Sequence, residues 1–254
     1  MSLAASTRGC ALVTGAARRI GRALALTAAR LGYDVAVHHR SSAEDAARTA
    51  ADIRALGVRA AVLPADLSGP DAASLIARAA EALGPVTLLV NCASLFQDDR
   101  IDSLTPQSLE AHLAANLKAP VLLAQAFAAA LPVDRHGLIV NVVDQRVWRL
   151  NPTFFSYTLS KAALWTATQT LAQALAPRIR VNAIGPGPTL ASVHQSAGEF
   201  ETEAAKVLLG HGASPDEIGQ ALAYMIDAPS VTGQMIAVDS GQHLAWRTPD
   251  IPGP

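Results

Sequence analysis

The sequence predicts an α/β fold built on one doubly wound parallel sheet with helices on both faces. Three observations carry that expectation. Short β-rich apolar runs alternate with longer Ala-rich segments of helical period along all 254 residues. The short runs are continuous rather than alternating, as strands covered on both faces require. No linker-like or low-complexity stretch divides the chain, so 1–254 reads as a single domain with surface tails at 1–8 and 246–254.

In chain order, strands are expected at 10–14 (CALVT), 34–38 (DVAVH), 58–63, 87–91 (TLLVN), 138–143 (LIVNVV), 179–184 (IRVNAI) and 235–238. Between them lie helical stretches at 19–31, 43–56, 71–83, 106–131, 153–176 and 215–226. Gly, Asp-Leu-Ser and Pro-Gly punctuate the strand ends, and Asp66-Leu67-Ser68-Gly69-Pro70 is a helix-entry loop. Residues 185–212 break the rhythm and are expected to form a mobile lid.

Net charge is −1, which excludes the strongly basic footprint of a nucleic-acid binder and a polybasic membrane surface. Two widely separated cysteines, Cys10 and Cys92, make neither a disulfide framework nor a metal pattern. The seven histidines show no HExxH or clustered ligand spacing, so no metal is expected. Apolar runs all fall short of about 18 residues without a charge or His, and no secretory h-region precedes the first strand. A cytoplasmic protein is the expectation.

Thr14-Gly15-Ala16-Ala17-Arg18-Arg19-Ile20-Gly21 follows the first strand and opens the first helix. Small residues there let a backbone approach a pyrophosphate, and a helix N-terminus supplies N–H donors and a positive dipole. The spacing is not GxGxxG, because Arg19 stands where a middle glycine would sit. Taken alone, the segment points to a phosphate site, with a plain tight strand–helix turn as the lesser alternative. The second strand ends His38-His39-Arg40-Ser41-Ser42 without an acid. A carboxylate there would hold a ribose 2′-hydroxyl, whereas a guanidinium pairs with a 2′-phosphate. NADPH is favoured over NADH, unless Arg40 is only a solvated loop charge.

Tyr157 and Lys161 are four apart at a helix start and share one face. A neighbouring ammonium favours phenolate, so the phenol is expected to titrate below its usual value of about 10. With these residues the chain resembles the short-chain dehydrogenase/reductase family, and the matches run in order along nearly its whole length. They comprise the 14–21 loop, Asp66, Asn91-Cys92-Ala93-Ser94, Asn116, Tyr157/Lys161, Pro186-Gly187 and Val238-Asp239-Ser240-Gly241.

The resemblance implies a Rossmann-type fold, a homotetramer, and hydride transfer between nicotinamide and a small-molecule substrate. Tyr157 would be the acid/base, Lys161 would bind the ribose and tune it, and Asn116 would hold a water in the proton path. Asp66 and Leu67 would meet adenine. Gly15, Arg18, Arg19, Ile20 and Gly21 would cradle pyrophosphate, and His39, Arg40 and Ser41 the 2′-phosphate. Asn91 would shape the cofactor floor, and Ala93, Ser94, Pro186, Gly187 and Thr189 would also bind the cofactor.

Four departures from the common family pattern are similar to the pteridine reductase branch. Asp144 stands where a catalytic serine is usual, Arg19 replaces a glycine, Ser94 precedes Phe96, and the second strand ends His39-Arg40-Ser41. A pterin is a flat heterocycle with a donor-rich edge. Phe96 can stack on it, Ser94 borders it, and Arg19 can meet its carbonyl edge. Asp144 can accept from its amino edge or, protonated, donate to a ring nitrogen beside Tyr157. The expected function is NADPH-dependent reduction of a pterin, dihydropterin or dihydrofolate-like ring. A general reductase of ketones, sugars or 3-oxoacyl groups, and a non-catalytic NADP(H)-binding regulator, are the alternatives. Trp148, Phe154 and Phe155 either line the substrate mouth or pack a dimer helix.

Overall fold

The computed structural model describes residues 8–69, 72, 74–191 and 196–247. Strands β1 (Cys10–Val13), β2 (Asp34–His39), β3 (Ala60–Pro64), β4 (Val86–Asn91), β5 (Gly137–Val142), β6 (Ile179–Pro186) and β7 (Met235–Val238) form one sheet. Their order is β3-β2-β1-β4-β5-β6-β7 and every pairing is parallel. The doubly wound fold expected from the alternation is the fold observed. Pro64, which cannot donate to a ladder, ends β3 at the sheet edge, where this is tolerated.

Both faces are covered, and alternate residues of each strand serve opposite layers. Ala11, Val13, Val35, Val37, Leu88 and Val90 pack under α1 (Arg19–Arg30), α2 (Ala43–Ala55) and α8 (Pro215–Asp227). Leu12, Ala36, Leu89 and Ile139 pack under α3 (Ser74–Leu83), α5 (Ala119–Ala130) and α6 (Phe155–Leu175). Two buried layers explain the continuous apolar strands: no strand has a solvent face for polar residues to occupy.

The expected 106–131 helix is divided. α4 (Pro106–Leu113) leads into a π turn, Ala114–Lys118, before α5 begins. Pro120 has no N–H to offer the Asn116 carbonyl, so regular α-hydrogen bonding fails there and the wider turn takes its place. By length and composition the stretch Pro106–Ala130 is long and apolar enough to cross a membrane. Its buried residues, among them Leu123, Ala124 and Phe127, instead pack on the sheet.

Smaller corrections concern boundaries. β3 starts at Ala60 rather than 58, and α6 starts at Phe155 rather than 153. The expected helix start at Asp71, the tail residues 1–7 and 248–254, and 192–195 of the expected lid lie outside the described residues. The rest of 185–212 contains the end of β6 and α7 (Ala197–Ala205), which opens on a Ser196/Glu199 capping box.

Candidate active site

A cavity of about 1050 Å³ opens along the C-terminal ends of the strands, where the order reverses between β1 and β4. That crevice is the ligand position inherent to an open α/β sheet.

One end is the turn from β1 into α1. Gly15 has φ +65°, and a Cβ on it would stand 2.9 Å from the Ala93 Cα. On Gly21 a Cβ would stand 2.1 Å from the Gly15 carbonyl oxygen. Only glycine lets the turn close against the helix and β4. Arg19, where a third glycine was missed, itself adopts φ +56°. Its guanidinium donates to the Ala191 carbonyl at 2.8 Å and the Leu190 carbonyl at 3.2 Å, tying the turn to the segment after β6. Arg18 and Ile20 line the same end.

The turn is braced from both sides. Thr14 Oγ1 accepts from the Cys92 amide at 2.9 Å and the Ala93 amide at 3.0 Å. On the other side His38 Nδ1 accepts from the Gly15 amide at 3.1 Å, a contact the sequence did not single out. His39, Arg40 and Ser41 line the cavity at the end of β2, and the buried His39 Nδ1 has no hydrogen-bond partner among the described residues. Asp66 and Leu67 lie alongside. Hydrogen bonds from the Ser68 hydroxyl and amide hold the Asp66 carboxyl below its usual range.

At the other end Tyr157 donates its hydroxyl proton to Asp144 Oδ2 at 2.8 Å. Asp144 follows β5 and caps a 3-10 turn, Gln145–Val147, its Oδ1 accepting the Arg146 amide at 2.8 Å. Burial raises the Asp144 pKa. Burial and the adjacent Asp144 charge push Tyr157 well above the ordinary phenol value. This corrects the expectation of a lowered phenol pKa: Lys161 does not outweigh desolvation and the carboxylate. Lys161 is buried and donates to the Val142 carbonyl at 2.8 Å, and burial lowers its pKa to about 8.

The aromatic wall is also assembled. Phe96 stacks on Phe154 at 4.3 Å and meets the Tyr157 ring edge-on at 4.7 Å. One Phe96 face is therefore covered by Phe154, which lines the cavity, while Trp148 packs edge-on against Trp165 and His243 outside it. Phe154 has φ +51° immediately before α6. Asp98 Oδ1 accepts its amide at 3.2 Å, and Asp99 Oδ1 accepts the Ser156 amide at 2.8 Å. Two carboxylates from the Phe96 loop thus cap the helix that carries Tyr157, a role no local motif announces.

Of the expected site residues, two do not reach the cavity. Asn91 does not form its floor: it is buried and donates to Asn141 Oδ1 at 2.8 Å. Asn116 lies on the π turn, fully buried. Its Oδ1 accepts from the Leu95 amide and the Ser94 hydroxyl, and its Nδ2 donates to the Leu95 carbonyl and Ser160 Oγ. That side chain is thereby saturated and has no capacity left to hold a water. Ala93, Ser94, Pro186, Gly187 and Thr189 all line the cavity. Gly187 has no room for a side chain, since a Cβ would stand 2.6 Å from the Asp239 Cα. Thr189 Oγ1 donates to the Gly187 carbonyl at 3.0 Å.

The residues present fit a nicotinamide dinucleotide. A glycine-cleared turn meets a helix N-terminus, and Arg40 lines the cavity beside a His39 nitrogen that has no partner among the described residues. Among the described residues no cluster of His, Cys, Asp and Glu could hold a metal.

Comparison with known proteins agrees with this geometry. The model of the family described as "short chain dehydrogenase" matches residues 9–202. The structure is similar to FolM alternative dihydrofolate reductase 1 from Brucella suis, crystallised with NADP. That likeness has TM-score 0.93 and 51% identity over 96% of this chain and 98% of that one. The Brucella canis FolM structure with NADP gives TM-score 0.94 and 50% identity over 99% and 100% of the two chains. A 3-oxoacyl-[acyl-carrier-protein] reductase, FabG, of Staphylococcus epidermidis is 29% identical over 92% of this chain and 98% of its own length.

Proposed function

This chain belongs to the short chain dehydrogenase family, and from that premise we propose that it reduces a pterin-type ring, dihydropterin or dihydrofolate-like, with NADPH. The observation that carries this reading is the Asp144 carboxylate 2.8 Å from the Tyr157 hydroxyl beside the Phe96 ring. A pterin edge presents several donors and acceptors, which such a pair can meet and an acyl chain cannot use. The two FolM structures, 50% and 51% identical, support the same reading through the activity in their names.

When bound, NADPH supplies a hydride. The turn 14–21 would hold its pyrophosphate, with Arg40 and Ser41 at the 2′-phosphate. Lys161, fixed on the Val142 carbonyl, would meet the ribose. Tyr157 keeps its proton at Oη through neutral pH, because burial and Asp144 hold the phenol high; the same shift makes it a weaker acid, so delivery requires the phenolate to be stabilised as it forms. Asp144 Oδ1 is held by the Arg146 amide, so Oδ2 is the oxygen that can turn from Tyr157 to the substrate edge. Phe154 backs Phe96 and keeps the stacking ring upright.

The FabG likeness favours a second reading, carbonyl reduction of a 3-oxoacyl or related ketone. An NADPH-oxidation screen with biopterin, dihydrobiopterin, folate, dihydrofolate and several ketones separates the two. Turnover confined to ketones overturns the pterin reading. The assembly we propose is a cytoplasmic homotetramer, supported by Leu122 on α5 and Leu159 on α6, which leave apolar surface exposed. A stable monomer in sedimentation at micromolar concentration refutes the tetramer.

A further inference from the structure

We propose that His38 is a positioning residue for the cofactor: its imidazole, unprotonated at Nδ1, fixes the Gly15 amide and holds the turn 14–21 ready for phosphate. The inference rests on reading the cavity as an NADP(H) site.

His38 is the penultimate residue of β2 and only 2% exposed, yet it borders the cavity. Both ring nitrogens are engaged, by different elements. Nδ1 lies 3.1 Å from the Gly15 amide nitrogen and Nε2 lies 3.1 Å from the Ala65 carbonyl oxygen. An amide can only donate and a carbonyl can only accept. The two partners therefore dictate one neutral tautomer, with the lone pair on Nδ1 and the proton on Nε2. The backbone of the same residue acts in concert, since its carbonyl accepts the Ala16 amide at 2.9 Å. One residue thus anchors two successive amides of the turn and links β1, β2 and the segment after β3.

That anchoring has a direct consequence for anion binding. The Gly15 and Ala16 N–H groups point back into the sheet, so the donors left to meet a pyrophosphate are those of the following residues at the start of α1. Gly15 sits in the left-handed region, where glycine has many alternatives open to it. Without the imidazole acceptor its amide is unpaired and the peptide can turn over, and ordering it again would oppose ligand binding. An aliphatic side chain would pack at this strand position equally well, so packing alone does not call for a histidine with two directed bonds. Burial lowers the imidazole pKa to about 4, outweighing Asp66, while His39 and Arg78 act in the same direction as burial, so the Nδ1 lone pair persists at neutral pH.

The test compares NADP+ affinity, by titration calorimetry, in the parent, His38→Leu and His38→Asn. Leucine should raise Kd about tenfold, the size of one lost hydrogen bond that leaves a buried donor unpaired. Asparagine, whose Oδ1 can take the Gly15 amide, should recover to within about threefold of the parent. In turnover, the effect should fall on the NADPH KM more than on kcat. A folded leucine variant with parental Kd, or an asparagine variant no better than leucine, overturns the proposal. Should leucine prevent folding, nitrogen NMR of the parent decides: an Nδ1-protonated or doubly protonated His38 at pH 7 overturns it. A parent that binds no NADP+ at all removes the cofactor reading itself, a distinct outcome.

Discussion

Tyr157 Oη and Asp144 Oδ2 share a hydrogen bond of 2.8 Å, and it joins the start of α6 to the end of β5. In this family's common pattern a neutral serine stands at the Asp144 position. Here the acid is paired with a second ionisable group: burial and Asp144 raise the phenol's proton affinity, while burial raises that of the carboxyl against the opposing Tyr157 hydrogen bond. The two titrate as a pair, and proton delivery is a property of both.

Tyr157→Phe removes the proton donor and almost no volume. Turnover should fall by about 10²- to 10⁴-fold, while NADP+ binding measured by fluorescence stays within about twofold. Near-parental turnover of a ketone would discard Tyr157 as the acid.

Asp144→Ser restores the residue most relatives carry, so the fold and the NADPH site should survive. Pterin reduction should drop at least about thirtyfold, as when a buried charged partner of a ligand is removed. Slow ketone reduction should persist. Unchanged pterin kcat/KM would sink the role given to the carboxylate.

Arg40→Asp replaces a guanidinium with a charge that repels a 2′-phosphate. The parent should prefer NADPH to NADH by at least about tenfold in kcat/KM, since a charge-assisted bond contributes about 1.5–3 kcal/mol. The variant should lose or reverse that preference. Equal kcat/KM for both cofactors in the parent speaks decisively against the assignment.

Asp99→Ala leaves the Ser156 amide and the Ser108 hydroxyl without their acceptor. Urea unfolding should show a loss of about 1–3 kcal/mol, with kcat reduced as the start of α6 loosens. Asp99→Asn keeps an acceptor and should retain most of that stability. A loss below about 0.5 kcal/mol in the alanine variant would mean that the carboxylate does not cap the helix.

His38 also predicts an acid limb. Its folded pKa of about 4 lies below the reference 6.5, so the unfolded chain takes up the proton first as pH falls. The stability it contributes is complete above pH 6.5 and is lost as pH falls toward 4, by at most about 3 kcal/mol. His39 and Arg78 oppose its charging and Asp66 favours it. Thermal melts should therefore show the parent losing more stability than His38→Asn between pH 7 and 4. Parallel pH profiles would contradict a buried neutral imidazole.

The amino-acid sequence by itself determined the strand and helix order, the glycine-cleared turn, the Tyr157/Lys161 face and the unusual Asp144. Each of these is a local matter of periodicity, spacing or residue type within one or two elements. Tertiary structure decided the rest, through contacts between residues far apart in the chain. Asn91 turns to Asn141 under the floor, 50 positions away, and Asp99 caps Ser156 across 57. The π turn that orients Asn116 follows from Pro120, whose missing N–H was legible, but the partners it finds on Leu95 and Ser160 were not. The acidity of Tyr157 was misjudged from its helical neighbour alone. The i+4 ammonium is one charge among several, and the depth of burial and the approach of Asp144 exist only once β5 and α6 have packed together.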